Sequence, residues 1–409
     1  MEKDEFLKYK KNKKEKKEKK SFIHRLNRRS KNIKINKKIV IYISLTILFL
    51  LLFTIIIIFN IQKKRIYQDI IKCKTKSNDV AFNYIDNNNK TIKISKKLFQ
   101  IKEDEDEYDN RNEIHISYSL DNGIVYPTFV SMVSGLENTN SNNNLLVYHL
   151  LLSHDFNTSK IEIFDSLKKN YTVKINYYLI PNMFSYLRKW GKGTECIYYK
   201  IILPIMFPDL KRIIYLDGDT LIRKDISEMY NSPFNDNYIL GFPFYMSHVM
   251  NKFGIKATHY INGGCLLFNI EKIRKDKKDV DLLQFTFKKN RRLGFLEQDS
   301  INYIFYPNIG FLPLKFGIYM IGNKYTFKSL IKYSKTTINM TEGYEAVADP
   351  GLVHFSCCWP KVWQNGTKNL FKDHHVCLRY QKEFYYYANK TQYYSDIYNS
   401  LFFKKKKKK

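Results

Sequence analysis

From Glu113 onward the apolar positions follow two alternating rhythms. Ile114-His115-Ile116-Ser117-Tyr118-Ser119 steps between apolar and polar with the period of a strand, and Asp121-Asn122-Gly123 closes it with turn residues. Pro127 to Leu136 has helical spacing, and Leu145 to Leu151 is a continuous apolar strand. Ser159 to Asn170 reads again as a helix, and Thr172 to Tyr178 as a third alternating strand. Arg212 to Leu216 and Tyr260 to Asn269 read as later, buried strands. Strands alternating with helices predict an α/β fold around a mostly parallel sheet with an open carboxyl edge.

A different pattern precedes it. Ile39 to Phe59 is a run of 21 residues without a charge. As a helix it would span about 30 Å, the thickness of a bilayer's hydrocarbon. It is too long, and lacks the small-residue cleavage site, for a cleaved leader. Residues 1–38 carry seventeen Lys or Arg against five acids. This block is too charged to bury a core and is expected to be disordered and cytosolic. The organisation predicted is a basic tail over 1–38, a transmembrane signal anchor over 39–60 and a low-complexity stem over 61–112. A catalytic domain follows over 113–364, then an aromatic and lysine-rich extension over 365–409. A type II protein of the Golgi or ER membrane, with its catalytic domain lumenal, follows from that order.

Charge and cysteine content narrow the partners. The chain's net charge is +30, but the two lysine-rich ends supply about 18 of that excess, and the centre is only mildly basic. With neither a zinc-finger spacing nor an RNP-like strand, no nucleic-acid partner is expected. Six Asn-x-Ser/Thr sequons, at Asn89, Asn157, Asn170, Asn339, Asn365 and Asn389, suit a lumenal glycoprotein. Cys73, Cys196, Cys265, Cys357, Cys358 and Cys377 show no metal-ligand spacing. Cys377 could pair with Cys357 or Cys358, while Cys265 reads as a buried thiol.

The candidate chemistry begins where the strand Arg212 to Leu216 runs into Asp217-Gly218-Asp219. Open α/β sheets bind ligands at their strands' carboxyl ends. Two carboxylates there, separated by a glycine that admits a ligand to the backbone, suit a divalent ion holding phosphates. Alone, such an Asp-x-Asp also fits a strand entering a polar turn. Four further blocks follow the same order as in glycosyltransferase family 8, which the chain resembles over roughly Ile114 to Trp363. They are IHISYSLDNG, the helix Tyr198 to Pro204 leading to YLDGD, INGGCLLFN with LEQDSIN, and GLVHFSCCWPKVW.

The resemblance implies a single GT-A domain, Rossmann-like, that transfers a hexosyl or pentosyl unit from a UDP-sugar with retention. The acceptor would be a glycan, a protein or a lipid. It implies that Asp217, Asp219 and His354 hold Mn²⁺, or else Mg²⁺. Gln298 would lie near the anomeric carbon, with Glu297 or Asp299 on sugar hydroxyls. Asn262 would bind donor or acceptor, Tyr118 and Asp121 the nucleoside, and Gly218 the donor's approach. Lys361, with Lys200 second, would meet the diphosphate. Three departures stand out: Glu297 where the family usually has Asp, Lys200 where it usually has Arg, and Lys361 one residue late after His354. They leave open a catalytically silent relative that binds a nucleotide sugar or scaffolds another enzyme.

Overall fold

The computed structural model describes residues 15–25, 27, 82–85, 91–94, 96–104, 109–189, 193–244, 246–316, 318–319, 339–356, 361–363 and 375–402. The expected anchor over 39–60 lies outside them. Among the described residues no helix is long and apolar enough to cross a membrane. The chain forms two units, Met1–Lys76 and Ser77–Lys409. In the first, residues 15–25 are helical with every side chain exposed, where composition predicted disorder. Lys and Glu are good helix formers, and Glu15 with Lys19 has the i,i+4 spacing that supports an isolated turn.

The second unit begins with an antiparallel hairpin, β1 (Phe82–Ile85) and β2 (Thr91–Ile94). Among the described residues its main sheet has eight strands. At its centre β4 (Asn112–Leu120) pairs in parallel with β5 (Asn144–Leu152), β5 with β6 (Val173–Leu179), and β4 with β7 (Arg212–Leu216). Beyond β7, β10 (Ile261–Asn269) pairs antiparallel with β7 and with β9 (Ile239–Pro243), and β11 (Ile309–Phe311) is parallel to β9. At the other edge β3 (Gln100–Lys102) runs antiparallel to β6. This is the α/β, GT-A-like fold predicted, with a parallel centre. The sheet takes in part of the expected stem, because the unpaired backbone groups at the edge of β6 accept β3 as a partner and Lys102 pairs with Asp165.

Two predicted helices take a tighter form. Residues 159–170 break into Thr158–Lys160, Ile161–Asp165 and Ser166–Lys169, the outer two being 3₁₀. The Ser166 hydroxyl donates to the Ile163 carbonyl at 2.6 Å, a local bond that competes with the helical ladder. Glu195–Ile202 is also 3₁₀ before Leu203–Met206 turns α-helical.

The core lies between the sheet and helix α1 (Val125–Asn138), whose Val125, Phe129, Val130, Met132 and Val133 are buried. Helix α2 (Glu297–Phe305) enters on β10's side. A short second sheet places β13 (Leu352–His354) between β8 (Thr220–Ile222) and β12 (Ile318–Tyr319). The extension is part of this core. Helix α3 (His375–Asn389) buries Tyr380, Phe384, Tyr387 and Ala388 against it. Phe384 stacks on Trp363 at 5.6 Å, and Gln381 donates to the Val362 carbonyl at 2.6 Å. Replacing Phe384 by Ala removes a ring from that packing and is expected to cost about 3–5 kcal/mol of stability, read by denaturant unfolding. A loss within 0.5 kcal/mol would show that the extension is not held by this core.

Candidate active site

The strand order assembles the site. β7 ends at Leu216, and the Asp217 amide donates to the Gly264 carbonyl of antiparallel β10 at 2.8 Å. The turn then passes under α1 at a point where only glycine fits, since a Cβ on Gly218 would lie 2.1 Å from the Thr128 hydroxyl. The chain continues into β8, which pairs antiparallel with β13 so that His354 stands opposite Thr220. The Phe355 amide donates to the Asp219 carbonyl at 2.8 Å and fixes that register. A residue 135 positions away thereby places its imidazole Nε2 3.1 Å from Asp219 Oδ1 and 3.4 Å from Asp217 Oδ2.

One ligand atom each from Asp217, Asp219 and His354 lie within 4.8 Å of one another. Two carboxylates and one imidazole are the donor set of a borderline-to-hard divalent ion. The close approach of His354 and Asp217 to β10 requires a glycine, because a Cβ on Gly264 would sit 2.1 Å from His354 Cε1 and 2.6 Å from Asp217 Oδ2. Burial opposes charge on His354, but Asp219 and Asp217 outweigh it and raise the imidazole to about 9. Burial likewise opposes the Asp219 carboxylate, yet Lys361 and His354 hold it well below the usual range.

Lys361 reaches this cluster despite its late position in sequence. Its ammonium donates to Asp219 Oδ2 at 2.7 Å and to the carbonyls of Phe355 and Ser356 at 2.8 and 3.1 Å. Val362 and Trp363, which follow it, are buried against α3. The extra residue before Lys361 does not keep it out of the site.

Helix α2 supplies the second wall. It is entered through Leu296, a non-glycine residue at φ 53°, where L residues are strained. Gln298 is locked to β10: its Oε1 accepts from the Gly263 amide at 2.7 Å and from Asn262 Nδ2 at 3.3 Å. Asn262 Oδ1 in turn accepts from the Gly264 amide at 2.9 Å. Gln298 is thus joined through Asn262 and Gly263 to the strand that carries Gly264. Burial raises the Glu297 carboxyl, and Lys200 acts against that rise.

Three expected site residues take other work. Tyr118 is fully buried on the α1 face of β4, its hydroxyl bonded to Ser131 Oγ at 2.9 Å, so it packs the core and does not face a nucleoside. Asp299 is also fully buried. It accepts from Tyr260 at 2.6 Å, Lys252 at 2.8 Å and the amides of Gly294 and Phe295 at 2.6 and 3.1 Å. Those donors occupy the carboxylate, and Asp299 braces the entry to α2 instead of holding a sugar. Lys200, only 2 % exposed, lies behind Asp217 and Glu297 and does not present a free charge to a diphosphate. Asp121 caps its own turn, accepting from the Gly123 and Ile124 amides at 2.7 and 3.2 Å, and stays half-buried at the carboxyl end of β4.

Gly264, Tyr215 and Lys252 join the site beyond the residues that the sequence motifs mark. Tyr215 donates to Asp217 Oδ1 at 2.9 Å. Consecutive glycines inside an apolar strand, as at Gly263-Gly264, are the signal that could have marked the first of these. Cys265 is the buried thiol expected, and Cys196 is buried as well. Cys73, Cys357 and Cys358 lie outside the described residues. The described sequon asparagines, Asn157, Asn170, Asn339 and Asn389, are all exposed.

Comparison with known proteins gives the family and the fold. The model of Glycosyl transferase family 8 matches residues 115–367. General stress protein A of Bacillus subtilis is 24% identical over 220 residues, which cover 52% of this chain and 71% of the relative. Lipopolysaccharide 1,2-glucosyltransferase of Escherichia coli is 25% identical over 240 residues, 56% of this chain and 69% of the relative. Among solved structures, galactosyltransferase LgtC in complex with donor and acceptor sugar analogs has the same fold. It superposes with a TM-score of 0.52 at 16% identity, over 70% of this chain and 96% of that one.

Proposed function

The chain belongs to glycosyltransferase family 8, and from that premise we propose that it moves a hexosyl or pentosyl unit from a UDP-sugar to a glycan, protein or lipid acceptor, with retention and with a divalent ion. The observation that carries this reading is the convergence of Asp217, Asp219 and His354, whose ligand atoms lie within 4.8 Å of one another against Gly264. Mn²⁺, or Mg²⁺ in its place, would be held by those three side chains and would supply Lewis acidity to the departing diphosphate. Lys361 adds a positive charge on the same edge, where negative charge develops as the sugar leaves. Gln298 and Asn262, fixed by their mutual bond and by the β10 amides, form a rigid polar wall for the sugar. Glu297 is the carboxylate on that wall suited to sugar hydroxyls, since Asp299 is engaged elsewhere.

The test is release of sugar from a panel of UDP-sugars by the full-length protein, with and without Mn²⁺. Turnover of one donor that stops when the ion is chelated supports the reading. A folded protein that neither turns over nor binds any UDP-sugar overturns it. The further proposal that residues 39–60 anchor the protein in the Golgi or ER membrane, catalytic unit lumenal, is tested by alkaline extraction and protease protection. Release by alkali would count against it.

Ion binding is expected to depend on pH through His354. An imidazole must be neutral to ligate, whereas the ion-free site holds its proton up to about pH 9. Below that pH the ion must displace the proton, so Mn²⁺ affinity is expected to fall roughly tenfold for each unit of acidification from pH 8 to pH 7. The sign is opposite for the ion-free fold: the imidazolium's stabilising contacts are complete below pH 6.5 and are lost as pH rises through about 9. Calorimetric Mn²⁺ titrations at pH 7 and 8 check this, and equal affinities would exclude displacement of a proton from His354 on ion binding.

A further inference from the structure

The two ends of the Gln298 side-chain amide do opposite work, since the oxygen accepts hydrogen bonds and the nitrogen donates them. Which end is held by the protein decides what is left for a sugar. The structure fixes this from both sides. On one side lie backbone amides, which only donate. The Gly263 amide donates to Gln298 Oε1 at 2.7 Å. The Gly264 amide donates to Asn262 Oδ1 at 2.9 Å, which turns Asn262 Nδ2 toward the same Gln298 oxygen at 3.3 Å. On the other side lies Asp299, fully buried, with one oxygen taking the Lys252 ammonium and the Gly294 and Phe295 amides. Its other oxygen accepts the Tyr260 proton at 2.6 Å. Burial, with Asp299 second, pushes the buried Tyr260 hydroxyl well above its ordinary range, so that proton stays in place. With its one proton committed, the hydroxyl only accepts from Gln298, and Nε2 donates to it at 3.2 Å.

Both lone pairs of the Gln298 carbonyl are thus taken, and so is one of its two N–H groups. We propose that Tyr260 and Asp299 are positioning residues that set the direction of this amide, so that Gln298 meets an oxygen of the donor sugar with its remaining N–H and keeps its carbonyl on β10. The inference rests on the reading of this pocket as the donor-sugar site. Neither positioning residue touches the sugar; each acts through Gln298. An asparagine at 299 must place its one oxygen where three donors converge, and so turns its Nδ2 to Tyr260. The Tyr260 proton then has no acceptor unless Gln298 swings its oxygen round, which sets Nε2 against the Gly263 N–H. A phenylalanine at 260 removes that proton and with it the reason to rotate. Gln298 then stays anchored at the strand alone.

Four full-length proteins test this: wild type, Tyr260→Phe, Asp299→Asn and the double variant. One readout is kcat and KM on the UDP-sugar that wild type turns over, with Mn²⁺. The other is hydrogen exchange of the Gly263 amide, whose acceptor is the Gln298 oxygen. Tyr260→Phe is expected to lose about tenfold in kcat with KM unchanged, and Asp299→Asn about 100-fold. In Asp299→Asn the Gly263 amide should exchange about tenfold faster or more, while in Tyr260→Phe it stays as protected as in wild type. The double variant should match Tyr260→Phe to within about threefold in both readouts. Losses in kcat that multiply in the double variant overturn the proposal, and so does an Asp299→Asn protein whose Gly263 amide stays protected. If Asp299→Asn does not fold, Tyr260→Phe decides: the kcat loss at constant KM supports the proposal, and kcat within about threefold of wild type overturns it. If wild type turns over no UDP-sugar, the donor reading fails. Exchange at Gly263 across the four proteins then decides alone whether Tyr260 and Asp299 set the amide.

Discussion

An Asp219→Asn protein is expected to lose roughly 1,000-fold in sugar transfer, and with it the response to Mn²⁺. Asp219 is the hinge of the cluster. One oxygen faces His354 Nε2 at 3.1 Å, the other accepts from Lys361 at 2.7 Å, and its backbone carbonyl holds Phe355 at the end of β13. The amide keeps the shape and the backbone bond but removes the charge. Two cationic groups then crowd a neutral side chain, and the ion loses one of its two anionic ligands. Calorimetric Mn²⁺ titration separates this from misfolding, because the far-ultraviolet circular dichroism should be unchanged while Mn²⁺ binding is lost. Transfer within tenfold of wild type would remove Asp219 from the reaction.

The elements around this site were legible because their signals are local. The period of two in Ile114 to Ser119 and the continuous run Leu145 to Leu151 produce β4 and β5, which pair along nine residues each. The Asp-Gly-Asp at the end of β7 marks the ion cluster from within a single turn. The same period of two that predicts β4 also puts Tyr118 on the face of Ile114 and Ile116, so its burial was available to the sequence reading. What was not legible depends on partners distant in the chain. Asp299 looks like any acid in a first helical turn until Lys252, Tyr260 and the Gly294 amide close on it. Lys361 looks one residue out of place until the fold carries its ammonium to Asp219. The extension after Trp363 carries aromatic residues in a lysine-rich context, and only the core shows that they pack against it and Trp363.

Gly264→Ala is expected to weaken Mn²⁺ binding about 100-fold while the added group is a single methyl. The new Cβ would sit 2.1 Å from His354 Cε1, 2.6 Å from Asp217 Oδ2 and 2.8 Å from His354 Nδ1. Both neighbours are themselves fixed, His354 by β13's pairing with β8 and Asp217 by its amide bond to this same residue's carbonyl. Neither can retreat without undoing a strand register, so the ligands must splay apart and the donor set opens. Overpacking of this kind also costs about 1–3 kcal/mol of stability. The control is the neighbouring Gly263→Ala, whose Cβ would first meet the Gln298 side chain, at 3.3 Å. That variant should retain Mn²⁺ affinity and lose transfer, because it presses on the sugar wall and leaves the ion ligands untouched. Mn²⁺ titrations of the two proteins side by side decide the matter. If Gly264→Ala binds the ion as wild type does, the space beside His354 and Asp217 is not where the ion sits.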